Sequence, residues 1–428
     1  MRGARRRARP FRASAPGSSV GVMPFDLEDL YRDLHSHPEL SFAETRTAGL
    51  AAARLRELGL DVTEGVGRTG VVGVLANGAG PVVHLRADMD ALPVTEATGL
   101  DYASTQRAVG PDGVEVGVMH ACGHDMHVTW LLGALERLVA TRDRWSGTVV
   151  AVFQPAEETI GGAREMVADG LVDRFPHADV VLGQHLAPLP AGVASVTSGP
   201  AMAGADTLTI TMHGRGGHGS RPQSTIDPVL AAASAVVRLQ SIVSREVAPG
   251  ALAVVTVGSL HAGTKSNIIP AEATMGVSVR SVDADVRATL LDGIRRIVAA
   301  EATASGMTEP PTVVVDETVA ATVNDPEATA RVRAALETRF GAERVIDIGT
   351  LTGSEDVHEL ATAAGAPLVY WFVGGVDPET FSRAAAAGRV EQEIPTNHSP
   401  FFAPVLHPTI EHGVETLVTA AMEWVGRR

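Results

Sequence analysis

Apolar residues recur at helical spacing where the patterned part of the chain begins. Leu27, Leu30, Tyr31 and Leu34 share one face, and residues 45–58 repeat the pattern, so two amphipathic helices open the fold. Residues 70–75 and 81–85 are short apolar runs that predict strands, the second leading into Arg86-Ala87-Asp88-Met89-Asp90-Ala91-Leu92-Pro93. Residues 128–140 predict a helix, 147–153 a buried β-branched strand and 180–182 another short strand. Beyond these strands lie Asp88 and Asp90, then Gln154-Pro155-Ala156-Glu157-Glu158, then Gly183-Gln184-His185-Leu186-Ala187-Pro188. Three strands in succession therefore deliver acid or imidazole groups at their exits, where open α/β sheets place their sites.

Around residues 193–197 the pattern changes. Residues 207–213 alternate like a half-exposed strand, 227–243 form an Ala/Val/Leu helix, 252–260 and 273–279 are strands, 284–302 a helix and 312–315 a closing strand. This β-α-β-β-α-β order predicts a ferredoxin-like unit inserted between two halves of an α/β domain. The strand and helix pattern then resumes until Trp424, with no internal repeat. The expected division is an N-terminal arm over 1–22, a catalytic domain over 23–196 and 316–428, and the insertion over 197–315. A chain of 428 residues exceeds the size at which single cores stop growing, which fits two domains.

Thirty-five basic against 50 acidic residues, a net charge of −15, argue against nucleic acid or an anionic membrane as partner. No apolar run is long enough to predict a transmembrane helix. The first twelve residues carry Arg2, Arg5, Arg6, Arg7, Arg9 and Arg12, followed by a Ser/Gly/Pro-rich stretch without the apolar middle of a secretory signal. This reads as a disordered basic arm, with Met23 an alternative start of translation, and a cytoplasmic location follows by default.

Candidate chemistry centres on the only cysteine, Cys122, inside Met119-His120-Ala121-Cys122-Gly123-His124-Asp125-Met126-His127. Without a second cysteine it forms no intramolecular disulfide. Thiolate and imidazole at Cys-x-His spacing, beside a carboxylate, suit zinc or a similar divalent metal, whereas a free cysteine is also commonly a small buried hydrophobe. Glu157 and Glu158 are either a solvated turn or a base next to a ligand. A carboxylate facing a metal-activated water can accept its proton and pass it to a leaving amine. His185 and His398 are, each alone, ordinary histidines. Both fall in predicted short loops beside sheet elements, and with Cys122, His124 and Glu158 they supply five protein ligands, a number that suits two metals better than one closed structural site.

These motifs resemble the metallo-amidohydrolase branch of the aminoacylase and carboxypeptidase superfamily, which includes hippurate hydrolases, indole-acetyl-amino-acid hydrolases and N-acetyl-diaminopimelate deacetylases. The resemblance spans residues 26–424 and rests on five ordered motifs: His35-Ser36-His37-Pro38-Glu39-Leu40, residues 87–93, residues 119–127, residues 154–158 and Asn397-His398. It implies a mixed central sheet flanked by helices, interrupted by a lid that also dimerises the chain. It further implies two divalent ions, zinc or manganese, held by Cys122, His124, Glu158, His185 and His398, with Cys122 shared between them. Glu157 matches the general base. Asp90 is expected to orient the site from behind the ligands, and Asp88 stands where more distant relatives have a ligand histidine.

Gly216-Gly217-His218-Gly219-Ser220 resembles the family's Gly-Gly-His segment. By that resemblance His218 reaches the partner subunit's active site and polarises the scissile carbonyl. Asn267 and Arg280 match residues that bind the substrate's carboxylate or carbonyl, a task the planar guanidinium suits; a strand-end surface charge is the plainer reading of Arg280. Gly353-Ser354-Glu355-Asp356 also resembles a family segment near the site. The expected activity is hydrolysis of N-acyl amino acids. A metallo-carboxypeptidase or dipeptidase is the alternative, with a non-catalytic binding module or a Cys122 thiol nucleophile behind it. An intact Glu157 counts against the binding module.

Overall fold

A computed structural model describes residues 26–110 and 113–427; the predicted arm over 1–22 lies outside the described residues. The chain divides into two compact units. Of the described residues, one contains those up to Gly199 together with Val323–Gly349 and those from Asp356 onward, and the other contains Pro200–Thr322 and Thr350–Glu355. In chain order the principal elements are α1 (Leu27–Ser36), α2 (Thr45–Glu57), β1 (Asp61–Val66), β2 (Gly70–Asn77), β3 (Val82–Asp88), α3 (His124–Ala140), β4 (Gly147–Gln154), β5 (Val180–Pro190) and β6 (Ala194–Ser195). The second unit follows as β7 (Gly204–His213), α4 (Pro228–Arg245), β8 (Ala253–Ala262), β9 (Glu272–Ser281), α5 (Ala284–Ala304) and β10 (Thr312–Val319). The first unit resumes with α6 (Pro326–Phe340), β11 (Val345–Ile346), β12 (Leu368–Val376) and α7 (Thr409–Val425).

An eight-stranded mixed sheet, ordered β1-β2-β4-β3-β5-β12-β6-β11, forms the centre of the first unit. Strands β4, β3, β5 and β12 run parallel, so their carboxyl ends lie along one edge of the sheet. These strands are near-continuous apolar runs because both faces are covered, and Trp130, Trp145 and Trp371 are fully buried in the same core.

Three differences from the sequence pattern in the first unit bear on the site. β3 runs through Asp88, leaving only Asp90 of the acidic pair beyond the strand. β5 continues to Pro190, so His185 lies within a strand and not in a loop; β12 pairs alongside it, with Phe372 opposite His185. α3 starts at His124, not at residue 128, because Gly123 at φ 84° turns the chain into the helix. A side chain there would be strained and would place its Cβ 2.6 Å from Leu186 Cδ2.

In the second unit the four strands order β8-β9-β7-β10 with every neighbouring pair antiparallel, the ferredoxin-like arrangement. Alternate residues of β7 and β9, among them Leu208, Ile210, Met275 and Val277, pack against Leu239 and Ile242 of α4 and Leu290 and Ile294 of α5. Asp227 and Asp283 cap those helices through backbone N–H groups of their first turns. The closing strand extends to Val319, past the expected end at 315.

Candidate active site

The segments following β3 and β4, a position within β5, the turn into α3 and the late loop at 397–398 bring these side chains together. Cys122, His124 and Glu158 each offer a ligand atom within 4.8 Å of the others. His185 Nε2 is 3.5 Å from Cys122 Sγ, and His398 Nε2 is 3.3 Å from Glu158 Oε2. His398 enters on a left-handed backbone, φ 70°, and its N–H donates to Ala121 O at 2.7 Å. Asn397 Nδ2 donates to the carbonyls of Cys122 and Leu186, tying this late segment to the turn before α3 and to β5. Residues separated by hundreds of positions thus converge on one site, buried at His124 and open at His398, whose side chain is 56% exposed.

His124 is fully buried, yet neither ring nitrogen makes a hydrogen bond, and Glu158 Oε1 is likewise unpaired. Around His124 Nε2 stand Asp88 Oδ2 at 3.7 Å, Glu157 Oε2 at 3.8 Å and Glu158 Oε1 at 3.8 Å. Buried polar atoms without partners are costly. A soft, imidazole and carboxylate donor set with orphaned lone pairs fits a divalent cation, which would complete those atoms.

Two neighbouring histidines are distinguished by their partners. Asp88 Oδ1 lies 2.5 Å from His127 Nδ1, while His127 Nε2 accepts the Leu186 N–H at 2.8 Å. Nδ1 is then the donor, and both nitrogens are committed. His185 donates Nδ1–H to Leu186 O at 2.7 Å, which leaves its Nε2 lone pair towards Cys122. His127, although clustered with Asp88, His124 and His185, therefore holds Asp88 and the β5 backbone instead of offering a ligand.

Asp90 accepts hydrogen bonds from the turn that carries the two glutamates. Its Oδ1 accepts the Glu157 N–H and its Oδ2 the Glu158 N–H, both at 3.0 Å, and Ser41 donates to Oδ2 at 2.7 Å. Oδ1 also lies 3.3 Å from His124 Nδ1. Asp88 bridges His127 and Arg86, whose Nη1 donates to Asp88 Oδ2 at 2.6 Å.

The field of this pocket favours positive charge. Burial opposes ionisation of His124, but Asp88 and Asp90 override it and hold its pKa well above the ordinary histidine range. Cys122 and Glu158 push His398 up to about 10. Burial raises the Cys122 thiol and lowers His185 well below the usual value. An acidic pocket with one neutral imidazole lone pair suits a bound cation.

His218, Asn267 and Arg280 belong to the second unit. His218 pairs with Ile268 across a two-stranded ladder, and Gly219 N–H donates to Asn267 O at 2.8 Å. The Ser220 N–H donates to His218 Nδ1 at 3.1 Å, which leaves the proton of the neutral ring on Nε2 as a donor. Arg280 Nη1 donates to Thr352 O at 2.7 Å and contacts Ser354 Oγ at 3.3 Å, holding the short return segment.

Several residues quoted within the sequence motifs had no role assigned there. Arg86, fully buried in β3, donates Nε–H to Gln154 Oε1 at 2.9 Å, and Gln154 Nε2 donates to Asp356 Oδ1 at 2.6 Å. A lone arginine within an apolar strand was the available signal, since such a charge needs buried partners. His35 lies between Asp125 Oδ2 at 2.6 Å and Glu96 Oε1 at 3.2 Å; burial disfavours its charge, but the two carboxylates raise it to about 9.

Residues 84–419 match the family described as peptidase family M20/M25/M40. Thermostable carboxypeptidase 2 of Saccharolobus solfataricus is 39% identical over 348 residues, 80% of this chain and 84% of that protein. Hippurate hydrolase of Campylobacter jejuni is 43% identical over 274 residues, 64% of this chain and 68% of that protein. A Bacillus subtilis structure described as a dinuclear metal binding peptidase from M20 family superposes with a TM-score of 0.74 at 28% identity, covering 92% of this chain and 96% of its own. The chain belongs to peptidase family M20/M25/M40.

Proposed function

We propose that this chain is a metal-dependent amidohydrolase that cleaves the amide bond of N-acyl amino acids carrying acetyl, benzoyl or similar acyl groups. The observation that carries it is Glu157, a 5% exposed carboxylate held 3.8 Å from the orphaned Nε2 of His124. Relatives named hippurate hydrolase and N-acetylcysteine deacetylase support the substrate class. Cys122, His124, Glu158, His185 and His398 would hold two divalent ions, zinc or manganese, which supply a carbonyl-polarising charge and lower the pKa of the attacking water. Glu157 takes the water's proton and returns it to the leaving amine nitrogen. His218 of a second copy of the chain presents its Nε2–H to the carbonyl oxygen as negative charge develops. Asn267 and Arg280 bind the substrate's carbonyl or carboxylate, Arg280 through the donors that do not hold Thr352.

A homodimer through the inserted unit is part of this reading. β8 is an edge strand whose ten residues include no Asp, Glu, Lys or Arg, and α4 exposes Leu230 and Val237 at 64% and 75%. An uncharged edge and an apolar stripe are features that a second copy would cover. No helix among the described residues is long and apolar enough to cross a membrane. A reducing compartment such as the cytoplasm suits a thiolate ligand.

The carboxypeptidase alternative is favoured by the Saccharolobus relative. The deciding experiment is a panel of N-acetyl amino acids, N-benzoyl amino acids and unblocked dipeptides, assayed on metal-reconstituted protein. Preference for the N-acyl amino acids is expected. Faster turnover of the unblocked dipeptides overturns the assignment, and turnover of none of them supports a binding module.

A further inference from the structure

Five non-glycine residues among those described have a left-handed backbone: Phe42, Arg68, Ala156, Ile160 and His398. Such conformations are disfavoured and persist where the surroundings enforce them. Ala156 at φ 49° and Ile160 at φ 51° bracket Glu157 and Glu158, so the acidic pair is displayed on a strained turn. Ile160 is β-branched, which makes its conformation the more costly.

The turn is held from a distant part of the chain by Glu44, which is fully buried. Its Oε1 accepts the Ala156 N–H at 2.8 Å and the Phe42 N–H at 2.9 Å, so one carboxylate oxygen binds two left-handed residues. Oε2 accepts the hydroxyl of Thr69, next to the left-handed Arg68, whose guanidinium lies 3.9 Å from the Phe42 ring centroid. Three of the five strained residues thus gather around a single acid. Burial raises the pKa of Glu44, yet the carboxylate finds donors at both oxygens. No motif that suggested the chemistry includes this residue, and it lies outside the cluster of ionisable groups at the strand ends.

We propose that Glu44 is a positioning residue whose buried carboxylate holds Ala156 left-handed and so aims the Glu157 base and the Glu158 ligand. Ser41, three residues earlier, secures the same turn through Asp90, which receives both glutamate N–H groups. The linker between α1 and α2 therefore grips the turn at two points.

The kinetic part of the test rests on the amidohydrolase reading, and the exchange part does not. In Glu44→Ala, kcat on the best N-acyl amino acid is expected to fall roughly 10- to 100-fold, as a misplaced catalytic group costs, with KM within about threefold. Glu44→Gln keeps an oxygen for both N–H groups and is expected within about threefold of wild type. By hydrogen–deuterium exchange mass spectrometry, peptides covering 154–162 exchange faster in Glu44→Ala and not in Glu44→Gln, while 147–153 is unchanged. If Glu44→Ala yields no folded protein, Glu44→Asp, one methylene short of Ala156, is held to the same limits. A folded variant with wild-type protection over 154–162 and wild-type kcat overturns the inference. A wild-type enzyme inactive on the whole panel overturns the amidohydrolase reading alone, and the exchange result still decides the role of Glu44.

Discussion

The two sheets of this chain treat charge in opposite ways. In the eight-stranded sheet, ionisable groups are buried at and beyond the strand ends: Arg86, Asp88, Asp90, His124 and Asp125 are each at most 1% exposed. In the four-stranded sheet the buried carboxylate, Asp206, is matched directly by Arg287, with Nε donating to Oδ2 at 2.7 Å, and by the Thr318 hydroxyl. The second sheet follows a simple alternation of apolar and polar positions, with helices on its apolar face. The first departs from apolar packing where β3 and β4 end and at His185 within β5, and buried charge that costs stability is a mark of function there. The contrast is accessible to measurement because Trp130, Trp145, Trp371 and Trp424 all belong to the first unit. Intrinsic fluorescence therefore reports that unit alone, and circular dichroism reports both.

The largest expected effects attack the charged end of the first sheet. Removing metal with a chelator, or replacing His124 by Ala, is expected to lower kcat/KM by about a thousandfold or more, the scale of losing several kcal/mol of charge stabilisation. Added zinc or manganese restores only the wild type, and metal analysis shows His124→Ala depleted. Glu157→Ala is expected to keep its metal while kcat falls by roughly 10²- to 10⁴-fold. Activity within a few-fold of wild type would remove Glu157 from the mechanism.

His218→Ala asks whether the second unit also takes part in the chemistry. A loss of about 10²- to 10³-fold in kcat is expected, the scale of one oxyanion donor, with bound metal and tryptophan emission unchanged. Unchanged kcat would confine catalysis to the first unit.

A smaller effect separates the units by pH. His35 is protonated in the fold, with its pKa raised to about 9. Its contribution is fully present below the unfolded value near 6.5 and is lost as pH rises through about 9, a total of about 3 kcal/mol. The fluorescence-detected urea midpoint should fall between pH 6 and pH 9.5, and His35→Gln should flatten that dependence. Equal pH sensitivity in the two proteins would show that the Asp125 and Glu96 contacts do not hold the charge. The smallest effect on folding belongs to Leu230→Glu and Val237→Glu, expected to change stability by at most about 0.5 kcal/mol while sedimentation velocity shifts from dimer to monomer. An unchanged sedimentation coefficient would remove α4 from the interface.

Much of this architecture was legible before the structure. The alternating and helical periods located most of the principal elements, and the order of strands and helices identified the inserted ferredoxin-like unit. Local pattern did not show where β5 ends, because its length is set by pairing with β12, whose sequence begins far downstream. It also missed β1, whose burial is slight and whose strand character comes from pairing with β2. Motifs named groups that converge on the site without showing which pair: Glu44, outside every motif, meets Ala156 across 112 positions, and Gln154 meets Asp356 across 202.

By itself, then, the sequence determined the classes of element and the family, and named candidate groups for the chemistry, since these depend on residue type, period and short motifs. Tertiary structure alone decided how those groups are used. His127 and His185 are similar imidazoles with ring centroids 4.5 Å apart, yet His127 is bonded to a carboxylate and a backbone N–H, whereas His185 is bonded to a backbone carbonyl and turns Nε2 to the Cys122 sulfur. That difference follows from which backbone and carboxylate groups face each ring. Sheet order and strand register set those neighbours, and neither is written in the spacing of residues along the chain.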